Sequence, residues 1–352
     1  MSESAYENCP CLKVLWKFTG NDVPKKGPEE VFSGDPRWAL SEEDTSLPGG
    51  GMSRYPFIYV GEGYNKIILV NDGKVIWTYD TGTGGELDDI WMLSNGNVLF
   101  SRMYWCAEVS PDKKRTWYYE FPEGEESHSL QPVGLDKVLM VINAAVPRAV
   151  ILNKYTGETV YSHEIPYDHA LPVHTQFRRI RLTKDNTFLV SYLQMGKVVE
   201  YDMDFNLIRE IKSSRPWSAQ KLLNGNILIT DENELAVKEI DINGDIVWSV
   251  RAEELPDRYV KAEIFERPGA APDAAPGTKS EPIGWQSCVR LANGNTVLCS
   301  QGNFGLAPQF IEITKEKEVV WALKNWKDLG PATSIQILSD PGIPENPGEC
   351  QR

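Results

Sequence analysis

One short phrase is written three times in this chain: LSNGNVLFS at residues 93–101, LLNGNILIT at 222–230 and LANGNTVLC at 291–299. Each copy is two apolar runs joined at Asn-Gly. That is the strongest short hairpin signal, read as a two-residue turn in which both residues accept positive φ. Fainter copies follow once the glycine is allowed to change: QPVGLDKVLMV (131–141), IRLTKDNTFLV (180–190) and a half-copy, TSIQILSD (333–340). The turn positions Gly96, Asp136, Asp185, Gly225 and Gly294 are spaced by 40, 49, 40 and 69 residues. This is the period of a four-stranded blade, with an insertion in the longest interval.

A second phrase keeps the same period. GKVIWTY (73–79), KRTWYYEF (114–121), GETVYSH (157–163), GDIVWSV (244–250) and KEVVWAL (317–323) each begin polar and turn apolar or aromatic. They read as outer strands whose Trp or Tyr packs on the next blade. Many short, evenly spaced strands with no sustained helical period predict an all-β fold, a β-propeller. Inner strands are expected near 86–93, 127–133, 174–182, 215–223, 284–291 and 332–338. The last has no partner after it. Three N-terminal strands, 55–63, 65–71 and 74–80, lack an inner one. Six blades with Velcro closure by the C-terminal strand therefore fit best, because closure removes the open sheet edges. The alternative is seven blades, if LKVLWKF (12–18) is another outer strand. The chain divides into an N-terminal extension (1–54), one propeller domain (55–340) and a C-terminal tail (341–352).

The net charge of −14 argues against nucleic acid, which rewards a basic face. No apolar run is long enough to span a bilayer, and 1–11 does not read as a signal peptide. A monomer is expected. Cys288 and Cys299 lie in apolar strands and read as buried, while Cys9, Cys11 and Cys350 could pin the termini together. Cysteine spacing indicates no metal site, and no nucleotide, hydrolase or metalloprotease motif occurs. No cofactor is expected.

The units DGKVIWTYDTG…LSNGNVLFS and NGDIVWSV…LANGNTVLCS resemble the repeats of secreted bacterial propellers of the PQQ-like and arylsulfotransferase-like types. The resemblance covers most of 55–340. It implies a propeller fold and a periplasmic or extracellular location. Quinoprotein or sulfotransferase activity is a third, weaker reading, since the chain has too few repeat units for the first and is short for the second.

In a propeller, the residues entering the inner strands ring the mouth of the axial channel. Alignment places there Asp88-Asp89, His128-Ser129, Phe177-Arg178, Trp217-Ser218, Gln286-Ser287 and Thr333-Ser334. Three copies share Ser-x-Gln, so Gln131, Gln220 and Gln336 either line the channel for a polar ligand or tie blades together. The stretch HALPVHTQFRRIR (169–181) holds His169, His174, Arg178, Arg179 and Arg181. Strand alternation sends Arg178 to one face and Arg179 and Arg181 to the other. Such a basic cluster either matches a carboxylate or sulfate bidentately or pairs with Asp88 and Asp89. Trp91, Trp217 and Trp285 are candidates for stacking on sugar rings. The expected function is binding of an acidic carbohydrate or another small polar anion at the mouth. If the protein is an enzyme, lyase or glycosidase chemistry would use His128 or His174. The alternative is a non-catalytic scaffold that binds proteins through the 253–284 loop and an acidic rim.

Overall fold

The structure is a computed structural model. It describes residues 55–350 apart from 63, 72, 83–84, 261–283, 301–307 and 326–328. The stretch 12–18, Cys9, Cys11 and most of the 253–284 loop lie outside the described residues.

Six four-stranded antiparallel sheets form the ring. Blade 1 joins the C-terminal inner strand Ser334–Ile337 to Phe57–Gly61, Tyr64–Asn71 and Lys74–Asp80. Its closing ladder runs Phe57↔Ile337 to Val60↔Ser334, which is the expected Velcro. The inner strands of blades 2 to 6 are Leu87–Met92, Leu130–Val133, Phe177–Leu182, Pro216–Lys221 and Ser287–Arg290.

The repeated phrase has a chemical reason at each position. The first Asn side chain accepts from the backbone two residues on, as Asn95, Asn224 and Asn293 do. Only the glycine takes positive φ, at 99°, 88° and 89° for Gly96, Gly225 and Gly294. This differs from the expected two-residue turn. The Gly96 N–H bonds the Leu93 carbonyl, and the Leu93 N–H bonds the Asn97 carbonyl. That is a type I turn followed by a left-handed residue, which needs one glycine instead of two permissive residues. In blade 4 the left-handed position falls on Asn186, one residue after the expected Asp185.

The second Asn reaches a buried glutamate on the third strand. Asn97 donates to Glu108 at 2.5 Å, Asn226 to Glu239 at 2.7 Å and Asn295 to Glu312 at 2.7 Å. In blade 4 Thr187 donates to Glu200 at 2.6 Å. Each glutamate is then met from the next blade: Glu108 by Lys154, Glu200 by Lys221, Glu239 by Arg290 and Glu312 by Tyr55. A buried carboxylate is tolerated only when paired and hydrogen-bonded, and here the pairing also joins neighbouring blades.

Outer strands repeat the device. Trp77 donates to the Pro111 carbonyl, Tyr161 to Met203, Arg209 to Asp241 and Trp248 to Lys315, each in a turn of the following blade. Apolar faces interdigitate between blades. Phe57, Tyr59, Phe310 and Trp321, for example, pack in one cluster with centroid distances of 5.0–5.9 Å.

Candidate functional site

Three inner strands carry a bulge where they enter the channel. Blade 2 skips register between Leu87 and Asp89, blade 4 between Phe177 and Arg179, and blade 5 between Pro216 and Ser218. The skipped residues are Asp88, Arg178 and Trp217. A bulge re-aims a side chain out of the ladder, and all three side chains are buried, Asp88 against His128, Arg178 against His174, and Trp217 under the Arg178 and Arg179 guanidinium groups.

Alternation and bulge together separate the arginines. Arg179 and Arg181 point down the channel to Asp89, with nitrogen–oxygen distances of 2.7 and 2.9 Å. Asp89 also receives the Leu130 N–H at 3.1 Å and a contact from Ser129, so it ties blades 2, 3 and 4. This buried ion triple divides the channel. Below it lies a cavity of about 80 Å³ lined by Trp91, Gln220, Ser287, Gln336, Asp340 and Cys350, among others. The C-terminal tail runs across that far end. Glu345 accepts from Ser94 and, through its carbonyl, from Gly134.

Residues at one repeat position join adjacent blades. Trp91 donates to the Leu130 carbonyl, Gln131 to Leu182, Gln220 to Cys288 and Gln336 to Met92. Gln131 and Gln336 also accept the backbone N–H of Leu182 and Met92. Trp217 is buried beneath two guanidinium groups, Arg178 at 5.7 Å and Arg179 at 5.5 Å from its ring centroid. Trp285 is buried in the core cluster around Leu222, Cys288 and Tyr259, with no ring face open to a sugar. Gln286 is buried, and its carbonyl accepts from Thr230.

Above the ion triple, two histidines and two glutamates form a closed ring. One oxygen, Glu126 Oε1, lies 3.0 Å from His128 Nε2 and 3.0 Å from His174 Nδ1. On the other side Glu86 lies 3.0 Å from His128 Nδ1 and 3.4 Å from His174 Nε2. The imidazole centroids are 5.1 Å apart, edge to face. Asp88 Oδ2 sits 2.8 Å from His128 Nδ1. Glu62, from the first hairpin of blade 1, completes a carboxylate trio with Glu86 and Asp88. His128 is sealed, whereas the His174 and Glu86 side chains are 41% and 27% exposed and are the members that a solute can touch.

The electrostatics follow from these contacts. Burial would raise Glu86, but hydrogen bonds from both histidines hold it far below its usual range. Glu126 is likewise held at about 2 against burial. Burial, reinforced by neighbouring carboxylates, pushes Glu62 well up. Asp88 is also raised by burial, with His128 opposing. Burial and Arg178 would lower His128, but its three carboxylates raise it to about 10. Glu126 and Glu86 raise His174 to about 9, with Arg178 opposing.

Arg178 donates to the His174 carbonyl at 2.5 Å and lies 3.2 Å from His174 Nε2. Its Nε is buried with no hydrogen-bond partner among the described residues. Among the described residues no carboxylate comes within ion-pair distance of it.

The sequence reading missed Glu62, Glu86 and Glu126. A signal for two of them was present: Glu86 and Glu126 stand two residues before the aligned pair Asp88 and His128, at the 40-residue interval of that repeat. Glu62 lies in a hairpin and has no repeat equivalent. His163 stands apart, exposed, with its ring stacked on Phe205 at 4.5 Å.

No family model matches the chain, and no curated protein matches it. Solved structures do. A protein of unknown function from Bacteroides caccae aligns at 22% identity, covering 80% of this chain and 98% of that one, with a TM-score of 0.64. A streptogramin B lyase aligns at 15% identity, covering 81% and 85%, with a TM-score of 0.50. The WD40 propeller domain of Doa1 aligns at 13%, covering 81% and 87%, with a TM-score of 0.51. At these identities the likeness is one of fold, a β-propeller.

Proposed function

We propose that this propeller binds an acidic carbohydrate, or another small polar anion, at the entry mouth of its channel. The observation that carries the reading is the division of labour among three adjacent arginines. Arg179 and Arg181 are neutralised by Asp89, whereas Arg178 lies against His174 with a buried Nε left unpartnered among the described residues. A guanidinium fork in that state suits a carboxylate or sulfate. Around it, Glu86 and His174 are open enough to meet hydroxyl groups. Should the bound molecule be processed, His174 is the group in reach, and the sealed His128 acts only by positioning Glu86 and Glu126. The repeat motifs resemble those of PQQ-like and arylsulfotransferase-like propellers, and that resemblance supports a periplasmic or extracellular setting.

The test is calorimetric titration and thermal shift with oligogalacturonates against neutral oligosaccharides. A ligand at 100 times its Kd stabilises by about 2.7 kcal/mol, and Arg178→Ala should remove that gain. A shift unchanged in Arg178→Ala, or none with any acidic glycan, rejects the reading.

A second reading, a protein-binding scaffold, is favoured by one feature. The outer strands of blades 4 and 5 expose Leu207, Ile208, Ile246 and Val247 on adjacent edges. Partner binding there would survive Arg178→Ala.

A further inference from the structure

We propose that the entry mouth is a site for a divalent first-row transition metal ion of the zinc class, held by His128, His174 and Glu86, with Asp88 as a further donor. The donor atoms of His128, His174 and Glu86 all lie within 4.8 Å of one another, although the residues come from the segments that enter the inner strands of three different blades. Glu126 sets the tautomers. Its single oxygen faces Nε2 of His128 and Nδ1 of His174, so each ring can donate there and present its other nitrogen to Glu86. A carboxylate that accepts the distal N–H of a metal-binding histidine fixes ring and lone pair in this way.

Two further observations point to a cation. Asp88 is fully buried, and its Oδ1 has no hydrogen-bond partner among the described residues. On the same side, His128 Nδ1 has at most one hydrogen to offer, yet Asp88 Oδ2 stands at 2.8 Å and Glu86 Oε2 at 3.0 Å. One N–H can meet both oxygens only as a shared, weaker bond, whereas a cation meets both fully. The mixed nitrogen and oxygen set favours zinc-class ions over calcium or magnesium, which prefer all-oxygen shells.

The site stands on these contacts whether or not Arg178 takes a ligand. Were both to hold, a cation on Nε2 would release Arg178 from that nitrogen toward the acid group of the ligand.

The full chain should be stripped with a chelator, dialysed, and titrated with Zn²⁺ by calorimetry and with Co²⁺ by visible absorption, with bound metal counted by mass spectrometry. One equivalent per chain is expected, with a cobalt spectrum free of thiolate charge transfer. Glu126→Gln should weaken binding about 10–100-fold. The part-exposed His174→Ala should abolish it while the metal-free protein melts as the metal-free parent does. No retained equivalent, a thiolate band, or unchanged affinity in His174→Ala overturns the proposal. Arg178→Ala should keep the metal and lose the glycan, so the failure of one reading is distinguishable from the failure of the other.

Discussion

Glu239 shows what a single residue of the repeat does. It accepts from Asn226 within its blade and from Arg290 of the next blade at 2.8 Å. Glu239→Ala removes these bonds, together with a longer one from Asn224, and leaves a largely buried guanidinium without its carboxylate, so a loss of about 2 kcal/mol is expected in urea denaturation. Glu239→Gln keeps the Asn226 bond and should cost about half as much. The same residues predict acid sensitivity. Burial would raise Glu200 and Glu239, but Lys221 and Thr187 on one, and Asn226 and Arg290 on the other, hold both below the usual carboxylate range. Asp231 is held down against burial by Ser213 and backbone N–H groups. Groups depressed in the folded state bind protons on unfolding. Their stabilisation is complete above the unfolded value of about 4 and is lost as pH falls through the folded values. The urea midpoint should therefore drop from about pH 5 to about pH 3, less steeply in Glu239→Gln.

At the scale of strands and turns, two glycines separate backbone strain from steric exclusion. Gly225 sits at φ 88°, and a Cβ there would meet nothing within 4 Å. Gly225→Ala should cost about 1 kcal/mol from backbone strain alone, and Gly225→Asn less. Gly61 ends the strand that receives the closing C-terminal strand, and a Cβ there would lie 2.0 Å from the Pro331 carbonyl oxygen. Gly61→Ala must push the two segments apart at the ring junction. It should cost more than the turn variant, with a loss above about 2 kcal/mol in the same assay.

The whole molecule depends on closure. Deleting 333–352 removes the inner strand of blade 1, bares the Phe57–Gly61 edge and opens the cluster around Phe57, Ile335 and Ile337. This variant should lose its cooperative melt and aggregate, because an unpaired apolar edge templates further strands. Deleting 341–352 removes only the strap that Glu345 fastens to Ser94 and Gly134. It should keep a cooperative melt at a modestly lower temperature. Equal melts for the two truncations would show that closure is not carried by the Ser334–Ile337 strand.

The sequence alone determined whatever recurs with short-range backbone geometry. The Asn-Gly-Asn phrase marks each hairpin because turn and ladder are local. The spacing counts the blades, and the orphan strands at the two ends call for each other. Alternation in FRRIRL already sets Arg178 apart from Arg179 and Arg181. The tertiary structure decided what depends on ring closure and on breaks in alternation. The bulges at Asp88, Arg178 and Trp217 turn those side chains out of the ladder, and nothing in a period-2 pattern announces an extra residue. Glu62, Glu86, Glu126 and His174 meet only because four blades converge on one axis. Trp285 reads as a rim aromatic by position, yet it belongs to the core, because the inner-strand entry of blade 6 packs against blade 5 instead of opening to the channel. Local periodicity is written residue by residue, whereas a site shared by blades is a property of how the ring closes.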